Sequence, residues 1–199
     1  LVATRNPKKR SELQALLSAL DVEVVSLRDF PDAPEVVEDG DTFEENACKK
    51  AGQMAEYTGL VTMADDSGLK VDALDGRPGV YSARYAGPNP TREKLCRKLL
   101  DEMEEVPDGE RGAHFYCCTV LANANGRIVF STTGRCNGVI TREMRGEGGF
   151  GYDPVFYYEP AGETFAEMSP QEKNEVSHRG RALRAFREHF VPFVERCRA

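Results

Sequence analysis

The sequence predicts an α/β domain built on a mixed sheet, and three observations carry that expectation. Short apolar runs alternate with helical periodicity in the first hundred residues. Later, two apolar runs flank Asn125-Gly126, the strongest short signal of a hairpin. The 199-residue length suits a single domain spanning 1–199, with room for two lobes sharing a cleft, and no linker divides it.

Taken in order, residues 1–4 (LVAT) read as a short buried strand. Asn6 and Pro7 follow as an N-cap and a first-turn proline. Leu13, Leu16, Leu17 and Leu20 then recur on one helical face. Residues 22–25 suggest a second strand, and the acidic, Pro-rich stretch 28–41 a loop. Residues 42–57 predict a helix opened by a capping box of Thr42 and Glu45. Residues 61–74 read as strand, polar break, strand; 75–90 as irregular; 91–103 as helix. Strands are expected at 114–123, 128–133 and 155–158. A last helix runs from Ser177 with Leu183, Phe186, Phe190 and Phe193 inward, and Pro192 is expected to bend or end it.

Composition narrows the function. With 26 Lys+Arg against 33 Asp+Glu, the formal charge is −7. That argues against a nucleic-acid polymer as partner, which needs a basic footprint, while leaving room for a small anion on a local basic cluster. No run approaches a membrane span, and residues 1–10 do not form a secretory signal, although the missing initiator Met suggests trimming. Six cysteines without CxxC or zinc spacing read as reduced structural thiols of a cytoplasmic protein.

Four motifs bear on chemistry. Thr4-Arg5-Asn6-Pro7-Lys8-Lys9 joins a strand to a helix N-terminus, where unpaired N–H groups and lysines suit phosphates; a plain capped surface helix fits the same letters. It is not a Walker A loop. Asp65 and Asp66, ahead of Ser67-Gly68, are costly on an apolar strand unless solvated, paired or cation-bound. With Glu38 and Asp39 they suit Mg²⁺–triphosphate chemistry, while a polar turn is the simpler account. Gly146, Gly148 and Gly151 spell G-x-G-x-x-G, but a strand-like run follows where a dinucleotide fold needs a helix, so that reading is rejected. Finally Lys173, Ser177, His178 and Arg179 cluster near a helix start, a donor set or simply a solvated basic face.

Together these segments resemble the inosine triphosphate pyrophosphatase family. The matching stretches are LVATRNPKK, TFEENACKKA (42–51), ADDSGLKVDALDGRPGVYSARYAG (64–87), GGFGYDPVF (148–156) and EKNEVSHRGRAL (172–183), in the family's order along nearly the whole chain. The resemblance implies an elongated, two-lobed α/β fold around a cleft, a homodimer, and Mg²⁺-dependent hydrolysis of ITP, dITP and XTP to monophosphate and pyrophosphate. It implies that Thr4, Arg5, Asn6, Pro7, Lys8, Lys9 and Lys50 line the phosphates, and that Glu38 and Asp66 serve the metal with Asp65 supporting them. Asp66 would accept the proton of the attacking water, and Ser67 would contact substrate. Phe150, Gly151, Tyr152, Asp153, Lys173, His178 and Arg179 would hold the nucleoside. Arg5 departs from the glycine common there in the family. Glu38 is preferred to Asp39 for its place just before Asp39-Gly40.

The chemistry is coherent with that activity. Cations would offset charge on the leaving pyrophosphate. Donors facing a purine 6-oxo group would be left unpaired by adenine's 6-amino group. Two other readings are a non-catalytic nucleotide-binding regulatory module, which would not need the acids, and a pyrophosphatase for modified pyrimidine nucleotides.

Overall fold

The computed structural model describes residues 1–198, with the side chain of Lys8 outside that description. Lys8, one of the expected phosphate ligands, is therefore placed only by its backbone in the first helix. The elements are α1 (Pro7–Leu16), α2 (Phe43–Thr58), β1 (Thr62–Val71), α3 (Arg92–Glu102), β2 (Gly112–Ala122), β3 (Ile128–Ile140), β4 (Phe156–Tyr158), β5 (Glu163–Thr164), α4 (Pro170–Val176) and α5 (His178–Arg198). The expected mixed α/β architecture is what forms. The five strands lie in one sheet in chain order, β1 to β5. β3 pairs antiparallel with β4 (Ile140 opposite Phe156), and β4 with β5 (Tyr157 opposite Thr164). Val2 adds parallel bridges to Ser26 and Met63, which makes the pairing mixed. Among the described residues no helix is long and apolar enough to cross a membrane.

Contacts group the chain into two compact units. The first holds Leu1–Asp66, Cys117–Gly134 and the chain from Arg181 onward; the second holds Ser67–Tyr116 and Arg135–Gly180. The first unit's core joins Leu13 and Leu17 of α1 to Val2, Val24, Met63, Leu121 and the α5 residues Leu183, Phe186 and Phe190. These are the helical-face leucines and the phenylalanine row that the sequence pattern predicts. The second unit's core packs Leu95 and Leu99 of α3 against Leu69, Val71, Phe115, Ile140, Phe156 and Phe165. Its rings touch edge and face: Phe115 to Phe156 at 4.6 Å and Phe156 to Phe165 at 4.8 Å between centroids.

Local chemistry explains several boundaries. Thr42 and Glu45 form the expected capping box at the head of α2. Ser169 and Glu172 form a second one at the head of α4, a helix that the sequence pattern does not predict. Asn123 closes the β2–β3 turn, its side-chain oxygen accepting from the N–H groups of Asn125 and Arg127 at 3.1 and 3.0 Å.

Four expectations are corrected. The polar residues 65–68 do not break a strand: β1 runs through them unbroken, because Asp65 and Asp66 find partners on both faces. Residues 22–25 form no strand, and residues 1–4 contribute only the bridges of Val2. Pro192 does not end α5, which continues to Arg198. The apolar row that α5 buries on either side of Pro192, Phe190 and Val194 included, favours continuation over the one ladder bond a proline removes.

Candidate functional site

In the first unit, residues 65–66 in the middle of β1 meet α1 and α2. Successive strand residues face opposite ways, so Asp65 and Asp66 cannot share a face. Asp65, 5% exposed, turns to α1, where Lys9 Nζ reaches its Oδ2 at 2.7 Å. A buried carboxylate needs such a partner. Asp66, half-buried, turns to α2, where Asn46 Nδ2 donates to its Oδ2 at 3.1 Å. Lys50, one helical turn after Asn46, donates to the backbone oxygen of Asp65 at 3.2 Å and pairs with Glu38 Oε1 at 2.5 Å. Lys9, Lys50, Glu38, Asp65 and Asp66 thus converge, as the sequence reading requires.

The two acids of the 38–40 loop separate cleanly. Glu38 reaches Lys50 and the cluster, whereas Asp39 pairs outward with Lys49, whose ammonium holds its carboxyl below the usual range. Asp65 is the partner of Lys9, and strand alternation turns it to the face opposite Asp66. Among the described residues no three acidic, His or Cys side chains gather as a metal cage. Mg²⁺ is commonly held by one or two carboxylates completed by substrate phosphates and water, and Glu38 with Asp66 offers that donor type.

The segment before α1 divides its roles. The Thr4 hydroxyl accepts from the Asn6 N–H at 3.1 Å, and Pro7 opens the helix. Arg5 does not join the lysines: its guanidinium donates to the carbonyls of Leu27 and Ala33 at 3.4 and 3.2 Å. Arg28 donates back to the Arg5 carbonyl at 2.8 Å. Arg5, where the resembled family carries glycine, therefore ties down the following loop.

In the second unit, Ser67 follows Asp66 on β1, half-buried. The Gly-rich stretch leads into a short 3₁₀ turn, Asp153–Val155, and then β4. No helix follows, in agreement with the rejection of a dinucleotide fingerprint. Asp153 is 2% exposed and accepts from the Phe150 N–H at 2.7 Å and from the Lys173 ammonium. Burial pushes its carboxyl pKa up, against the pull of Lys173. Gly149 takes φ +72°, and a Cβ there would lie 2.1 Å from Asp153 Oδ2, so only glycine allows this approach. The Lys173 ammonium sits over the ring of Phe150 at 4.5 Å and over Phe165 at 5.3 Å. Phe150 is itself 69% exposed, a flat apolar face open to a ligand. His178 stacks on Phe115 at 4.7 Å, and Arg179 follows it, half-buried. Lys173, His178, Phe150 and Asp153 are thus assembled on one aromatic bed. Gly151 lends its carbonyl to the Cys96 thiol.

Tyr152 is different. It is 3% exposed, its hydroxyl donates to the Ser82 carbonyl at 2.8 Å, and burial raises its pKa. Its ring belongs to the core of the second unit. Two residues escaped the sequence reading. Asn46 is 1% exposed in the first turn of α2; its place four residues before Lys50, hence on the same helical face, is the available signal. Arg92 clasps the Gly-rich loop through the carbonyls of Glu147 and Gly148 at 2.8 and 3.1 Å, and only the fold brings it there.

A mixed α/β chain with a lysine–carboxylate cluster and an aromatic, donor-lined bed has the parts of a phosphate-handling nucleotide protein. The sequence profile of the Ham1 family matches residues 1–189, and the chain belongs to that family. It is 53% identical over 189 residues to a dITP/XTP pyrophosphatase of Geobacter sulfurreducens, covering 95% of this chain and 94% of that one. A dITP/XTP pyrophosphatase of Desulforamulus reducens is 51% identical over 184 residues, 92% and 91% of the two chains. Among solved structures, a HAM1 protein from Coxiella burnetii superposes with a TM-score of 0.91 at 42% identity, covering 96% and 97%.

Proposed function

We propose that this chain is a nucleoside-triphosphate pyrophosphatase that hydrolyses dITP, ITP and XTP to the monophosphate and pyrophosphate. We include in the proposal Mg²⁺ as cofactor, a homodimeric state and a cytoplasmic location. One observation carries the reading: two lysines and three carboxylates converge in the first unit of a chain half identical to proteins of that activity.

The polyphosphate is anionic, and Lys9, Lys50 and the N–H groups opening α1 answer that charge. Phosphate oxygens compete with Asp65 and Glu38 for the two ammonium groups, so the lysines are already aimed before the ligand arrives. Cleavage of the α–β anhydride consumes one water, and the Asp66 carboxylate takes its proton. Glu38 and Asp66 would hold Mg²⁺, which when bound supplies Lewis acidity and neutralises charge on the pyrophosphate. The base would lie on the exposed Phe150 ring. An ammonium has three N–H donors, so Lys173 can serve both Asp153 and a 6-oxo oxygen, with His178 and Arg179 as further donors. A purine bearing a 6-amino group would leave such a donor unpaired, which costs about 1–3 kcal/mol, or roughly 5- to 150-fold in rate.

The test is a panel of ITP, dITP, XTP, ATP, GTP and modified pyrimidine triphosphates with Mg²⁺, products being separated by anion exchange. The expected result is monophosphate and pyrophosphate from the first three, with ATP well behind. Release of orthophosphate, or equal turnover of ATP, would overturn the proposal. Preference for a pyrimidine would favour that substrate class instead. Binding without product over hours would favour a regulatory module.

A further inference from the structure

Asn46 is an amide buried inside a helix, and buried amides are costly unless both ends are satisfied. Both are. Its Oδ1 accepts from the Gly40 N–H at 2.8 Å, and its Nδ2 donates to Asp66 Oδ2 at 3.1 Å. The first bond fixes the second: an N–H faces only an acceptor, so the oxygen must point to Gly40 and the NH₂ to Asp66. There is little slack, since a Cβ added at Gly40 would lie 2.9 Å from that oxygen. Lys50, four residues on and so on the same helical face, donates to Glu38 and to the Asp65 carbonyl. This face of α2 therefore grips both the 38–40 loop and the 65–66 segment of β1.

We infer that Asn46 is a positioning residue that orients the Asp66 carboxylate and sets its register with the loop bearing Glu38. The inference rests on the activity proposed above. Its chemical logic lies in the choice of an amide. Lys9 and Lys50 bring full charges to Asp65 and Glu38. Asn46 instead brings Asp66 a neutral N–H donor whose direction is set by the bond to Gly40.

Two variants of the full chain separate positioning from a merely structural role. Asn46→Asp keeps an oxygen for the Gly40 N–H and replaces the NH₂ donor with a second carboxylate oxygen. Asn46→Ala removes both bonds. Positioning predicts that both lower kcat for dITP by roughly 10- to 100-fold, the scale of a misaligned reacting group. KM should stay within about threefold, because a transition-state interaction is lost while ground-state binding remains. Calorimetric affinity for dITP without Mg²⁺ should also be unchanged. Near-normal kcat in Asn46→Asp would overturn the inference and leave the residue a loop brace. Circular dichroism and a urea midpoint certify folding, and the nearly isosteric Asn46→Asp keeps the test decisive if the alanine variant unfolds. Wild-type protein inert towards dITP would instead remove the proposed activity itself.

Discussion

Asp65 and Asp66 are neighbours in sequence and opposites in role. Strand geometry sends one carboxylate to Lys9 and the other to Asn46. Asp65 holds Lys9, and Asp66 is the proton acceptor of the hydrolysis proposed above. Replacing Asp66 with Asn keeps the shape and removes the basicity. Asp66→Asn is expected to lower kcat by about 10²- to 10⁴-fold, with a thermal midpoint close to wild type. A loss of less than threefold in single-turnover assays would take Asp66 out of that role. Arg5 teaches a complementary lesson: its charge lies in a basic motif, yet its guanidinium is directed to loop carbonyls.

Among the elements, α2 does the most to assemble the first unit's cluster. Its small buried residues, Ala47, Ala51 and Ala55, line its core face. Asn46 and Lys50 rise from it towards the acids, and the capping box fixes where the helix begins, hence where both side chains point. In the second unit, α4 and α5 meet at Gly180, where an added Cβ would lie 1.8 Å from the Asn174 carbonyl oxygen. Gly180→Ala must therefore push the two helices apart. The expected cost is about 1–3 kcal/mol in urea denaturation, the range for overpacking. Lys173 lies on α4 and His178 and Arg179 open α5, so KM for dITP should rise more than kcat falls. An unchanged urea midpoint together with an unchanged KM would refute the close approach.

At the scale of the whole molecule, all six cysteines are free thiols. Cys96, Cys117, Cys118 and Cys136 are buried, Cys48 is half-buried and Cys197 is exposed. Burial pushes the thiols of Cys96 and Cys118 up to about 12, so thiolate is scarce there at neutral pH. Native protein treated with a chromogenic disulfide is expected to release one equivalent quickly, from Cys197, and the buried four only on denaturation. Rapid release from all six would contradict the packing of both cores.

Much of this was legible in the letters. The leucine face of α1, the α2 capping box, the Asn-Gly hairpin and the phenylalanine row of α5 are local patterns, and local patterns follow from helix and strand periodicity alone. The convergence of lysines and acids was legible as a resemblance of ordered motifs. The errors share a cause. A break is read at residues 65–68 and a bend or end at Pro192, because propensity penalises charges in strands and proline in helices. Partners distant in sequence outweighed the penalty in the first case and apolar burial in the second.

By itself, then, the sequence determined most of the elements, the reactive residue types and the family, since each is written in short-range spacing. Only the tertiary structure decided which carboxylate meets which donor, that the Arg5 and Tyr152 side chains bond to distant backbone carbonyls, and that Asn46 touches Asp66. Those outcomes depend on contacts across 20 to 70 residues of chain, and side-chain direction at such range is set by packing, which no local pattern encodes.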